Sequence, residues 1–294
     1  MEGSTTTNYL SKKELLSEIH KSKNTYSEYT DPKYADYDLI VAAKNYDIGN
    51  EAKCSSAAIL PQCTKPDKVA KAKKTRANRL TQQKIEQYYK ENGRDAPKPK
   101  IEKVKPGDIL EKDLVFRVHT FEHVLQDIGR KKTIKTVADI HERINFFPYK
   151  HFAYNKRGKL VEVGRSHWKD GKYSSDHGQI TPKLAHMFVM LVNRYSQRSN
   201  WRGYTYIDEM KGQAMLQLAS MGLKFNEYMS DNPFAYYTAS VTNAFRRVLN
   251  TEKKNQNIRD DLLEMNGLNP SFTRQLENDQ FVSSGGDYHS DSDH

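Results

Sequence analysis

Three helical stripes follow one another in the last third of this 294-residue chain, and they restrict its fold to one built largely from helices. Thr181 as an N-cap and Pro182 in the first turn open the first, with Leu184, Met187, Leu191 and Tyr195 on one face. Ile207, Met210, Ala214, Leu218 and Met221 form the second, which Gly222 closes. Asp231-Asn232-Pro233 starts a third that runs to about Lys254, with Phe234, Tyr237, Val241, Phe245 and Val248 at helical spacing. An amphipathic helix must bury its stripe, so these segments supply a core.

The preceding residues are less regular. Ser11 and Glu14 match a capping box, which predicts a helix to about Lys23. Residues 24–64 show no sustained period and read as loop with short elements. The pattern from Asp67 to about Asn92 is helical, with Gly93 as its stop and few apolar residues, so much of that helix should be exposed. Pro97, Pro99 and Pro106 predict a stiff linker. Leu114, Val118, Phe121, Leu125 and Ile128 recur at helical steps and predict an amphipathic helix ended by Gly129. Val137, Ile140 and Ile144 suggest another, stopped before Pro148. From Phe152 to Val163 the residues alternate around Asn155-Lys156-Arg157-Gly158, as a β-hairpin does. Lys169 to Gly178 is polar and reads as a boundary. The expected fold is mainly α with a small α+β insertion, divided into an N-terminal helix (1–23), an inserted basic module (24–178), a helical domain (179–255), and a short helix with an acidic disordered tail (256–294).

Charge narrows the partners. Lys plus Arg exceed Asp plus Glu by 47 to 37, and between Lys65 and Lys100 there are 12 bases against 4 acids. That density neutralises phosphates without reading sequence, which marks Lys71, Lys73, Lys74, Arg76 and Arg79 as candidate non-specific DNA contacts. A solvated charged helix is the competing reading. The last 18 residues carry five acids and no Lys or Arg. No stretch approaches the roughly 18–20 apolar residues of a membrane span, and the N-terminus has no apolar signal core. A soluble protein that is not secreted is expected.

Chemistry-bearing patterns are sparse. Cys54 and Cys63 fit no zinc template and read as reduced thiols. His119 and His123 stand at i, i+4 around Glu122, but no third ligand is obvious, so a helix face is favoured over a metal site. Phosphate loops and nucleophile elbows are absent, and no cofactor is implied. The reading is non-enzymatic, with a metal-dependent nuclease built on the His-containing insertion as the remote alternative. The third helix is more informative: aromatics at its start and bases at its end suit a surface that stacks unpaired bases and grips phosphates. A plain core helix is the alternative from spacing alone.

Several ordered motifs in this region carry a resemblance. Glu209-Met210 through Gln213-Ala214, Leu216 and Leu218, then Leu223 and Phe225, then Asn232-Pro233-Phe234-Ala-Tyr-Tyr237 resemble region 2 of bacterial sigma factors. More closely, the chain resembles the late-transcription sigma factors of T-even-type tailed phages. Tyr9-Leu-Ser-Lys-Lys13-Glu-Leu-Leu16 fits their N-terminal helix, Gly203-Tyr204-Thr205 precedes the second stripe as theirs does, and Asn243-Ala-Phe245-Arg-Arg247 with Glu252-Lys-Lys254 matches their basic patch.

The resemblance implies a polymerase specificity subunit that directs bacterial core RNA polymerase to A/T-rich late promoters in the host cytoplasm. It implies that Glu209, Gln213, Leu216 and Gln217 dock on a coiled coil of the largest polymerase subunit. It implies that Phe234, Tyr236, Tyr237 and Ser240 meet the −10 region, with Arg246, Arg247, Lys253 and Lys254 on duplex DNA. Gln213 and Ala214 replace the family's usual acid and glycine, and Ser240-Val241 replaces a tryptophan pair. A sliding clamp or co-activator is a further expected partner, although Phe281-Val282 does not reproduce the clamp-binding motif. Residues 24–178 lie outside the resemblance. The alternative reading is a phage DNA-binding or replication-associated protein that works without polymerase.

Overall fold

Helix α1 (Lys12–Asn24) opens the chain and buries Leu15, Glu18, Ile19 and Ser22. The computed structural model describes residues 10–42, 55–93, 96–120, 122–123, 148–174 and 176–284. Ser11 accepts the Leu15 amide through its carbonyl (3.0 Å), but its side chain makes no cap bond. The capping box is therefore not formed, because Glu14 turns instead to Lys183 (2.8 Å).

A five-stranded sheet follows, in the order β1 (Ser27–Tyr29), β5 (Leu160–Ser166), β4 (Tyr149–Tyr154), β3 (Val115–His119), β2 (Leu39–Val41). Among the described strands of this sheet, only β2 and β3 pair in parallel. One face carries Leu39, Val41, Phe116, Val118 and Phe152 into a core completed by helices α2 (Ser56–Cys63) and α3 (Pro66–Asn92). Cys63 sits in this core as a free thiol, pushed up to about 12 by burial. The predicted amphipathic helix from Leu114 is corrected: residues 115–119 are strand. β3 is buried at all five positions, and a strand covered on both faces loses the alternation that would have identified it. Leu125, Ile128 and the helix predicted around Val137, Ile140 and Ile144 lie outside the described residues, as does Cys54.

The hairpin predicted around Asn155 is β4–β5, with Asn155 Oδ1 accepting the amides of Arg157 and Lys159 (both 2.9 Å). Gly164 on β5 is required by contact, since a Cβ there would lie 2.2 Å from the Tyr29 ring. The expected boundary at 169–178 holds a second hairpin, β6 (Trp168–Lys169) with β7 (Lys172–Tyr173). Asp170 and Gly171 both take positive φ in its turn, the conformation that Asp-Gly favours.

Helix α3 spans roughly 40 Å and buries only Val69, Ala72 and Ala77, so the expectation of an exposed helix holds. The proline-rich stretch behind it is tethered, because the Val104 amide donates to Thr81 Oγ1 (3.0 Å).

Helices α4 (Pro182–Ser196), α5 (Ile207–Met221) and α6 (Pro233–Met265) correspond to the three stripes. Helix α6 runs eleven residues past the predicted Lys254. Helix α7 (Phe272–Ser284) continues through residues 277–284, where a disordered tail was expected. Residues 285–294 lie outside the described residues. The chain divides into two compact units, 1–190 with 219–236, and 191–218 with 237–294, so each boundary falls within a helix. In the second unit the buried rings of Tyr195, Trp201 and Phe245 meet edge to face or tilted, and Tyr195 hydrogen-bonds Thr242 (2.7 Å). No described helix is long and apolar enough to cross a membrane.

Candidate nucleic-acid interface

Helix α5 buries Met210, Ala214 and Leu218, which turns Glu209, Gln213 and Leu216 outward at i, i+4 and i+7. Leu216 is 66% exposed, a position where an apolar side chain gains nothing from the fold. Gln217 is partly covered at the edge of the same face.

Helix α6 separates its candidates by periodicity. Tyr237 is completely buried and Ser240 nearly so, together with Val241, Ala244, Phe245 and Val248. Neither presents a surface to a nucleic acid, which corrects their assignment as DNA contacts: both fall on the stripe that faces the core. Phe234 and Tyr236 are partly exposed, with the Tyr236 hydroxyl donating to the Met221 carbonyl (3.3 Å). Further along, Arg246, Arg247 and Lys254 line a shallow open depression with Asn243, Asn250 and Thr251. Lys253 is also exposed. Three cations and three neutral polar side chains on one helix surface can hold phosphate oxygens.

Replacing Tyr237 by Ala is expected to cost about 3–5 kcal/mol of stability, as deletion of a buried aromatic does. Phe234→Ala should cost under about 1.5 kcal/mol while weakening single-strand capture. Thermal melting of both variants beside single-stranded DNA binding checks this. A normal melting curve for Tyr237→Ala would return that residue to the surface.

The basic segment divides in a similar way. Arg76 and Arg79 both bind the buried carboxylate of Asp38, Arg76 at 3.2 Å, and Asp38 in turn accepts the Val115 amide (2.8 Å). Lys73 pairs with Glu111 (3.4 Å). Arg76 and Arg79 are corrected from free phosphate contacts to anchors of α3 beside the sheet, because a buried carboxylate demands a countercharge, whereas the partner of Lys73 is an exposed carboxylate. Lys71 and Lys74 are exposed.

A second polar centre, which the sequence did not disclose, occupies the other face of the sheet. Arg117 on β3 is fully buried between the rings of Tyr37 and Tyr149, 3.9 and 3.7 Å from their centroids. Its Nε donates to His151 Nε2 (2.9 Å) and its Nη2 to His20 Nδ1 (3.1 Å). A guanidinium only donates, so both imidazoles are neutral acceptors there. Their other nitrogens therefore carry the proton, His151 donating to Tyr34 O (2.7 Å) and His20 to Ala35 O (3.1 Å). Burial first, and the Arg117 charge second, lower His20 to about 3 and hold His151 well below its ordinary value. The same causes lower His119 to about 3. Lys23 and Glu227 form an ion pair beside this group (2.9 Å), and Lys23 followed by Arg117 brings Glu227 down to about 2 against the opposing effect of burial.

His119 ends β3, and His123 is buried with Nε2 donating to Ser166 O (3.0 Å), so the expected shared helix face is not formed. Among the described residues, no group of three or more His, Cys, Asp or Glu is placed to hold a metal ion. The cavity lined by Lys23, His119, His167, His177 and Glu227 is about 20 Å³, the size of one water, which is too small for an organic substrate. The centre closes this face of the sheet with hydrogen bonds and cation–π contacts. The signal in the sequence is the recurrence of His and Tyr across 20–37 and 149–177, which has no fixed spacing.

Comparison with known protein families, with curated proteins and with solved structures found no match.

Proposed function

We propose that the chain is a sigma-like specificity subunit that brings bacterial core RNA polymerase to A/T-rich late phage promoters and helps open the −10 region. The observation that carries the reading is the outward stripe Glu209, Gln213 and Leu216 on α5, positions that the sigma resemblance assigns to the polymerase. In this reading α5 docks on the coiled coil of the largest subunit in the host cytoplasm. The exposed cations of α6, Arg246, Arg247, Lys253 and Lys254, hold duplex DNA, and Phe234 with Tyr236 meets unpaired bases. A sliding clamp or co-activator joins the assembly as a partner. The mechanism needs no bond-making group from this chain, only differential contact with open and closed DNA.

Replacing Leu216 by Asp is expected to leave melting unchanged, because the side chain lies outside the core. It should weaken binding to purified core polymerase at least tenfold, since a desolvated charge at an interface costs a few kcal/mol. Titration of labelled protein with core polymerase, followed by run-off transcription from an A/T-rich promoter, makes the test. Wild-type protein that binds DNA but not polymerase would favour a phage DNA-binding or replication-associated role instead.

A further inference from the structure

The turn of the β4–β5 hairpin owes its shape to some residues and its charge to others. The Gly158 amide donates to the Asn155 carbonyl (3.0 Å), and the Asn155 amide to the Lys159 carbonyl (2.9 Å). Asn155 Oδ1 holds the amides of Arg157 and Lys159 from inside the turn, and Gly158 takes φ of 73°. This is a three-residue hairpin loop with glycine in the left-handed position. Its side-chain requirements end with Asn155 and Gly158. Nothing in the geometry asks for a base at 156, 157 or 159, yet Lys156, Arg157 and Lys159 stand there.

Tyr154 and Leu160, paired across the hairpin, are the last residues packed against the core. Beyond them residues 156–159 are all exposed, and a Cβ at Gly158 would meet no atom within 4 Å, so the tip stands in open solvent. Among the described residues, no carboxylate pairs with any of the three bases. Glu162, the acid that follows on β5, is engaged by Lys150 (2.9 Å) and Arg165 (3.4 Å). Three like charges within four residues repel one another, a cost that an anionic partner removes. The composition of the tip selects the partner. It has no aromatic ring to stack an unpaired base and no apolar side chain to enter a lipid interface. Its two strands, about 5 Å apart, form a ribbon that the roughly 12 Å major groove of duplex DNA admits between its phosphate walls.

We propose that the β4–β5 tip is a contact for duplex DNA, in which Lys156, Arg157 and Lys159 neutralise backbone phosphates whatever the sequence. The site is distinct from the cations of α6, lies in the segment outside the sigma resemblance, and does not depend on polymerase binding. The test uses the full chain with Lys156→Gln, Arg157→Gln and Lys159→Gln combined. Asn155 and Gly158 are retained, so the melting temperature should remain that of wild type. Anisotropy titrations of a labelled mixed-sequence duplex are run between about 50 and 200 mM salt. The tip variant should bind about tenfold more weakly or worse, and its log–log salt slope should shrink by roughly 2–3, since each phosphate contact contributes about 0.9. Lys156→Arg with Lys159→Arg, which keeps the charge, should bind as wild type does. A control with Lys98→Gln, Lys100→Gln and Lys103→Gln removes the same charge from other exposed positions and should change the slope far less. An equal loss in that control would assign the effect to net charge and overturn the tip. Wild-type affinity and slope in the tip variant would overturn it too, as would failure of the unaltered chain to bind duplex DNA. If the tip variant lost core polymerase binding but kept its grip on DNA, the occupant would be an acidic protein surface, and the proposal would fall.

Discussion

Lowering the pH from 7 to 5 is expected to destabilise the sheet-containing unit strongly. His20, His119 and His123 are lowered to about 3, 3 and 4, principally by burial. In the unfolded chain each returns to about 6.5. Below that value the unfolded state binds protons that the folded state refuses, so their contribution is complete above pH 6.5 and lost as pH falls toward the folded values. Each group costs up to about 1.4 kcal/mol per pH unit, and the three together on the order of 5 kcal/mol between pH 6.5 and 5. That is comparable to the whole stability of an ordinary domain. His151 and His167 act in the same direction. Glu227 does not contribute in this window, because its carboxyl stays ionised in both states until pH nears its ordinary value. The chain has two tryptophans, Trp168 beside the sheet and Trp201 in the other unit, so Trp201→Phe leaves one indole that reports the sheet unit. Its fluorescence transition in urea should move to lower denaturant between pH 7 and pH 5. A midpoint independent of pH would mean that these imidazoles are solvated.

Arg117→Leu should destabilise the same unit by about 3–5 kcal/mol, the usual cost of removing one member of a buried charge group. The leucine leaves His151 Nε2 and His20 Nδ1 without their donor, removes two cation–π contacts, and leaves Lys23 as the cation facing Glu227. Arg117→Lys should recover little, since one ammonium cannot fill the gap between two rings while donating in two fixed directions. Urea midpoints with far-ultraviolet circular dichroism measure both variants. If Arg117→Leu unfolded at the wild-type midpoint, the centre would contribute nothing and its polar groups would be interchangeable with apolar packing.

These expected losses concern a part of the chain where pattern was silent. Helices α4, α5 and α6 were legible because each lays its core residues on a 3.6-residue period and is bounded by Thr181-Pro182, Gly222 or Asn232-Pro233. The β4–β5 hairpin was legible from its Asn-Lys-Arg-Gly turn. Strand β3 was misread as helix because Val115, Phe116, Arg117, Val118 and His119 are all buried, so no side of it looks like a surface. The candidate interface divides along the same line. Spacing alone already put Tyr237 on the core stripe of α6, against what the sigma resemblance implied for it, whereas Ser240 needed the packed helix to show that it is buried.

What the sequence determined by itself is local: helix periods, stops and turns, and the position along the chain where charge changes sign. Such features depend on neighbours within about one helical turn. The tertiary structure alone decided which charges are free. Arg76 and Arg79 look like phosphate contacts until Asp38 is brought beneath them across 38 and 41 residues. Arg117 is solvated by acceptors far off along the chain, since His20 and His151, 97 and 34 residues away, accept its hydrogen bonds. A buried charge persists only where distant groups converge to solvate it, and no spacing along the chain encodes that convergence.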